Sequence, residues 1–147
     1  DGEDVSETIR SPEISQLTPK VAAVPYVRTA MVNRQREMGA AGGVVLEGRD
    51  IGSVVFPQAE VKLFMVASAE ERGLRRYNEM KEKGLEVDLQ ETIRDVEERD
   101  RADSLREHSP LVKAADAVEI DTGGRSIDQV LESIMDIVVA REEALKG

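Results

Sequence analysis

An arginine and an aspartate stand side by side in Gly48-Arg49-Asp50-Ile51-Gly52, between the apolar run Val44-Val45-Leu46 and the run Val54-Val55-Phe56-Pro57. Ligands of open α/β sheets gather at the carboxyl ends of strands. A glycine-flanked turn there offers a guanidinium fork for phosphate oxygens and a carboxylate that accepts from an amino or hydroxyl group. Alone, such a pair is more ordinarily a surface ion pair. A second group lies further along the chain. Arg99, Asp103 and Arg106 fall at i, i+4 and i+7, on one helical face, and Arg72, Arg75, Arg76 and Glu79 have matching spacing before them. Solvated helix faces with ion pairs of about 0.3–0.5 kcal/mol each would give the same pattern. Two helices that bring several guanidinium groups together would instead suit a polyanion.

The elements that must hold these residues are legible in outline. Ser11-Pro12-Glu13 reads as a helix cap followed by a first-turn proline. Pro19 and Pro25 break the next stretch. Pro25 opens a helix over Tyr26–Met38, with Val27, Ala30 and Met31 on one side, and the glycine-rich stretch 39–43 ends it. Val44–Glu47, Val61–Val66 and Ala117–Ile120 read as strands. Ser68 with Glu71, Asp88 with Glu91 and Ser126 with Gln129 are spaced as capping boxes. The first predicts a helix to Lys83, stopped by Gly84, and the second a helix to about Glu107, ahead of Pro110. In the second, the apolar stripe Leu89, Ile93, Val96 ends at Glu97, so its charged half is expected to leave its packing partner as a lid would. The third helix carries Ile127, Val130, Leu131, Ile134 and Val138 at core spacing.

Composition narrows the chemistry. The length of 147 residues suits one domain with a real core. A net charge of −10 argues against a nucleic-acid coat or a binder of acidic membranes. Only Tyr26, Phe56, Phe64 and Tyr77 are aromatic, too few for base-stacking platforms. The absence of Cys removes thiolate metal sites and disulfides and fits a cytoplasmic location. The single His108, near Pro110, reads as an exposed turn residue, and no spaced carboxylate set suggests a metal. Apolar runs such as Leu63–Ala67 are too short to span a bilayer, and no signal-peptide pattern is present. The first residue is Asp rather than Met, which suggests processing or a piece of a longer chain.

An ordered set of motifs covers almost the whole sequence: the stretch 4–15 (DVSETIRSPEIS), then Lys20-Val21-Ala22-Ala23-Val24-Pro25 with Val27-Arg28, then Gly48 through Pro57. Ala69-Glu70-Glu71-Arg72 with Arg75-Arg76-Tyr77, Arg99-Asp100-Arg101-Ala102-Asp103-Ser104 with Arg106, Ser109-Pro110-Leu111 and Ala114-Ala115-Asp116-Ala117 complete it. In this the chain resembles the bacterial cytidylate kinases, a branch of the nucleoside monophosphate kinases. The resemblance implies an α/β P-loop kinase fold: a partial, three-strand parallel sheet, a helical acceptor-binding segment over residues 1–43, and a core over 44–147 with a lid at about 75–108. It implies transfer of the γ-phosphoryl group of ATP, with Mg²⁺, to CMP or dCMP. It implies that Arg28 and Asp50 read the cytosine edge and that Arg49 clamps the acceptor phosphate. Asp103 and Arg99 would address ribose and phosphates, Arg106 would reach the acceptor nucleotide, and Arg75 and Arg76 would approach the transferring group from the lid.

Three departures qualify it. Pro19, with Thr18 beside it, stands where a base-holding serine is usual, and Glu47 where an Asp is frequent. The family's Gly-x-x-x-x-Gly-Lys-Ser/Thr phosphate loop has no counterpart, since no Gly-Lys pair occurs in the 147 residues. The chain is therefore expected to begin about a third of the way into the family's length, to lack the donor site and its Mg²⁺ ligand, and to be inactive alone. A monomer is expected, or a chain that requires an N-terminal segment, with no membrane or nucleic-acid partner. The alternatives are a CMP-binding module without a donor site, and an acidic helical interaction domain whose arginines serve only ion pairs.

Overall fold

Caps and prolines set most helix starts where the sequence puts them. The computed structural model describes residues 2–6, 8–107 and 109–147. After a short 3₁₀ turn at Thr8–Arg10, α1 (Pro12–Ala22) begins at Ser11, whose hydroxyl accepts from the Ile14 N–H at 3.3 Å. α1 runs through Pro19, which was expected to break it. The proline removes one helical bond, but the helix is already nucleated by its cap, the Thr18 hydroxyl donates to the Ile14 carbonyl at 2.8 Å, and the Ala23 N–H closes the last turn on the Pro19 carbonyl at 3.0 Å. α2 (Pro25–Gly39) opens on Pro25 as expected.

Val44–Glu47 is irregular, not a strand, and Val45 is fully exposed. A strand requires a hydrogen-bonding neighbour, and among the described residues the sheet consists of β1 (Leu63–Val66) and β2 (Val118–Asp121) alone. These pair in parallel, Leu63 with Val118 through Val66 with Asp121. The sheet thus has two strands where three were expected.

Between the strands lie α3 (Ala69–Glu82) and α4 (Leu89–Ser104), capped by Ser68 and Asp88. Gly84 follows α3 with φ +76°, a left-handed stop that glycine takes without strain. Gly73 is buried where the two helices touch; a β-carbon there would lie 2.5 Å from Ile93 Cγ1 and 2.9 Å from Ile93 Cα. α4 ends at Ser104, short of Glu107, and the Leu111 N–H returns to bond the Asp103 carbonyl at 2.8 Å. His108 lies outside the described residues.

α5 (Ile127–Lys146) carries the full reciprocal capping box of Ser126 and Gln129. Its apolar stripe does not form the expected core. None of its residues is buried, Ile127 and Leu131 are exposed, and among the described residues only Val55 and Ile120 are buried apolar side chains. The chain presents 11,002 Å² to solvent, whereas a compact monomer of this mass presents about 7,500 Å². Among the described residues many of the apolar side chains are half-buried: Val130, Ile134 and Val138 of α5 are partly covered, and Ile137 stands beside Val61 and Val118 of the strand region. No described helix is long and apolar enough to cross a membrane.

Candidate functional site

The turn after Leu46 is built to aim two neighbouring side chains at different elements. Residues Gly48–Asp50 bend into a π-helical turn over Ile51–Val55, closed by the Phe56 N–H on the Ile51 carbonyl at 2.7 Å. Arg36 of α2 fixes that turn by donating to the Val55 and Val54 carbonyls at 2.9 and 2.7 Å. Asp50 then turns to α2, where its carboxylate meets Arg28 Nη1 at 2.5 Å, both side chains being mostly buried. The Arg28 Nε is held by the Ala22 carbonyl at 3.1 Å. Arg28 and Asp50 are thus brought together.

Arg49 turns the other way, onto α4. Its Nη1 donates to Asp100 Oδ1 at 2.8 Å and its Nε lies 3.2 Å from Asp103 Oδ2. Asp103 is the most enclosed charged residue described, 1% exposed, and also faces Arg99 at 3.9 Å and Arg106. Arg49, Arg99, Asp103 and Arg106 therefore share one place, although Arg106 lies beyond the end of α4. Arg72 joins them from the first turn of α3, its Nη1 2.5 Å from Asp100 Oδ2 and its Nε on the Ala67 carbonyl at 3.0 Å. The charged half of α4 is thus not free of the body, as its sequence suggested. Apolar packing ends near Val96 and ion pairing takes over.

Four guanidinium groups surround two carboxylates here, an excess of two positive charges inside a chain of net charge −10. The imbalance is felt at Arg99. Burial and then the neighbouring charge of Arg49 pull its pKa below the ordinary arginine value against the opposing pull of Asp103, with Arg76 and Arg106 adding to the repulsion. Burial alone would raise the Asp100 pKa, but hydrogen bonds from Arg49 and Arg72 outweigh it and hold that carboxyl below its usual range. The two Asp103 oxygens are enclosed and lack hydrogen-bond geometry to any described donor, so they keep acceptor capacity beside the arginines.

Arg75 stands elsewhere. It donates to the Thr122 carbonyl at 2.6 Å and to the Thr122 hydroxyl at 3.1 Å, tying α3 to the end of β2. Arg76 is exposed, within electrostatic reach of Arg99. Thr18 is exposed and its hydroxyl is engaged within α1. Asp100 and the pairing of Arg72 were missed in the sequence; Asp100 lies three residues before Asp103 and so shares its face. A concavity lined by Arg94, Glu97, Glu98 and Arg101 lies on the other side of α4, and one of about 280 Å³ lies between Lys62, Asp116 and Arg141, at the opposite end of the strands. Among the described residues no set of three or more His, Cys, Asp or Glu side chains is arranged to hold a metal.

This geometry sits in a sequence that the family model described as cytidylate kinase matches over residues 1–140. The chain belongs to the cytidylate kinase family. A cytidylate kinase of Syntrophotalea carbinolica is 61% identical over 142 residues, which cover 97% of this chain and 60% of the relative. That of Geobacter sulfurreducens is 56% identical over 146 residues, 99% of this chain and 63% of the relative. That of Enterococcus faecalis is 49% identical over 138 residues, 94% and 61%. The chain thus spans about three-fifths of the length of these curated family members. Its small parallel sheet among helices is consistent with the α/β fold of nucleoside monophosphate kinases.

Proposed function

We propose that these residues form the acceptor-nucleotide site and lid of an enzyme that transfers the γ-phosphoryl group of ATP to CMP or dCMP. The observation that carries this reading is the cluster of Arg49, Arg72, Arg99 and Arg106 around Asp100 and Asp103, with its two uncompensated positive charges. A nucleoside monophosphate brings about two negative charges and oxygens that guanidinium forks hold in a plane. In this reading Arg49, Arg99 and Arg106 take the acceptor phosphate. Asp103 keeps an acceptor free for a ribose hydroxyl, and the paired Arg28 and Asp50 present a donor and an acceptor to the base edge. Residues 1–43 form the acceptor segment and about 75–108 the lid, whose closure excludes water from the transferring group.

Phosphoryl transfer is mostly positioning and charge neutralisation, and the arginines supply both for the acceptor. Arg76 is the lid arginine placed to approach the transferring group, whereas Arg75 would have to leave Thr122 to do so. The donor side is different. The 147 residues hold no Gly-x-x-x-x-Gly-Lys-Ser/Thr, and among the described residues no three His, Cys, Asp or Glu side chains are grouped to hold a metal. This favours a second reading for the chain taken by itself: a CMP-binding module awaiting a donor site.

A coupled assay for CDP tests the assignment. The purified 147-residue chain is expected to bind CMP saturably and to turn over at least a thousandfold more slowly than the same residues joined to a phosphate-loop segment, a difference of about 4 kcal/mol in barrier. Robust turnover without added protein would show that ATP binds elsewhere. Absence of saturable CMP binding would return the arginines to a purely structural role.

A further inference from the structure

We propose, building on the acceptor-site reading, that Asp100 is a positioning residue for Arg49, with Arg72 as its counter-anchor, and that this linkage sets how strongly the site prefers a phosphate-bearing nucleotide to its nucleoside. Three elements meet at this one carboxylate. Oδ1 accepts from Arg49, on the turn after Leu46, at 2.8 Å; Oδ2 faces Arg72, on the first turn of α3, at 2.5 Å; Asp100 itself is on α4. Arg72 is in turn fixed to the end of β1 through the Ala67 carbonyl. The chain of contacts thus runs from the sheet, through Arg72 and Asp100, to the Arg49 guanidinium.

The physical need for it follows from the charge. Arg99 has its pKa lowered first by burial and then by the neighbouring charge of Arg49. An arginine on a glycine-flanked turn, among three others, would swing toward solvent unless a carboxylate held it. Asp103 holds its Nε and Asp100 its Nη1, three residues apart on one helix face. With one nitrogen fixed by a hydrogen bond to Asp100 and another drawn by the charge of Asp103, the fork is oriented before any ligand arrives, and less ordering entropy is left to lose on binding. Asp100 also carries a negative charge, so it could instead act as a competitor of phosphate. The two roles predict opposite signs. The excess of two positive charges favours the positioning role, because a phosphate need displace neither carboxylate.

Equilibrium titration of the 147-residue chain with CMP and with cytidine decides between them, with far-UV circular dichroism as a check on folding. Asp100→Asn is expected to weaken CMP about tenfold, as for loss of one charged hydrogen bond, and to change cytidine affinity by less than about twofold. Asp100→Glu, which restores a carboxylate, is expected to recover most of the CMP affinity. Unchanged or tighter CMP binding by Asp100→Asn overturns the proposal, and so does a parallel loss for CMP and cytidine, the mark of a merely structural residue. If Asp100→Asn does not fold, Arg72→Gln, which leaves the Asp100–Arg49 bond in place, is expected to weaken CMP alone by about threefold; no loss there overturns the proposal equally. A wild-type chain that binds cytidine as well as CMP would instead overturn the acceptor-site reading itself, whatever the variants do.

Discussion

The ion cluster beneath Arg49 and the outer face of α5 invert the usual placement of charge and oil. Asp103, a carboxylate, is 1% exposed, while Ile127, opening the longest helix, is 86% exposed. Charged groups are enclosed when partners are close enough to offset desolvation, and Asp103 has three guanidinium groups around it. Apolar groups are enclosed only when another apolar face lies opposite, and among the described residues of α5 none is fully enclosed. The members of the polar cluster come from the turn at 48–50, from α3 and α4, and from Arg106 just beyond α4.

The strongest way to break this comparison is to remove the centre of the cluster. Asp103→Ala leaves Arg49, Arg99 and Arg106 facing one another without their shared carboxylate. It is expected to cost about 3 kcal/mol of stability, as loss of one partner from a buried charge group does, read as a fall in the urea midpoint. A loss below 0.5 kcal/mol would mean that the arginines simply swing into water.

Gly73→Val tests whether the cluster depends on the close approach of α3 and α4. The added side chain meets the Ile93 backbone and side chain, and overpacking of this kind costs about 1–3 kcal/mol. Because Arg72 and Asp100 lie on the two helices concerned, CMP binding is expected to weaken along with stability. Loss of stability with CMP affinity unchanged would separate the helix contact from the site.

The pH dependence sharpens the comparison further. The folded-state pKa of Asp100 lies below its ordinary value, burial opposing and the bonds from Arg49 and Arg72 prevailing. Its stabilising contribution is therefore fully present above the unfolded pKa of about 4 and is lost as pH falls through the lower folded value. Urea midpoints are expected to drop as pH falls below about 4 in the wild type and less steeply in Asp100→Asn. Equal slopes would remove Asp100 from the acid response.

The smallest effect is expected on the other side of the molecule. Ile127→Ser on the exposed face of α5 should change the stability of the 147-residue chain by less than about 0.5 kcal/mol. A larger loss, from the same denaturation measurement, would mean that this face is covered in solution.

Local chemistry written in the sequence was enough for much of this. Ser11, Ser68, Asp88 and Ser126 mark helix starts because a cap acts within three residues of itself, and Gly84 marks a stop for the same reason of short range. The family was legible because its motifs recur in order along the chain. Spacing alone brought Arg99 and Asp103 to one face. The tertiary structure decided the rest. Val44–Glu47 has the composition of a strand, yet strand identity depends on a neighbour that no residue within the run supplies. The α5 stripe has core spacing, yet burial depends on an opposing face. Asp100 was overlooked because its two partners, Arg49 and Arg72, are far from it in sequence, and only the packing of α3 on α4 beside the turn at Arg49 brings the three together. Short-range hydrogen bonding is encoded residue by residue; pairing, burial and charge balance belong to the space between elements.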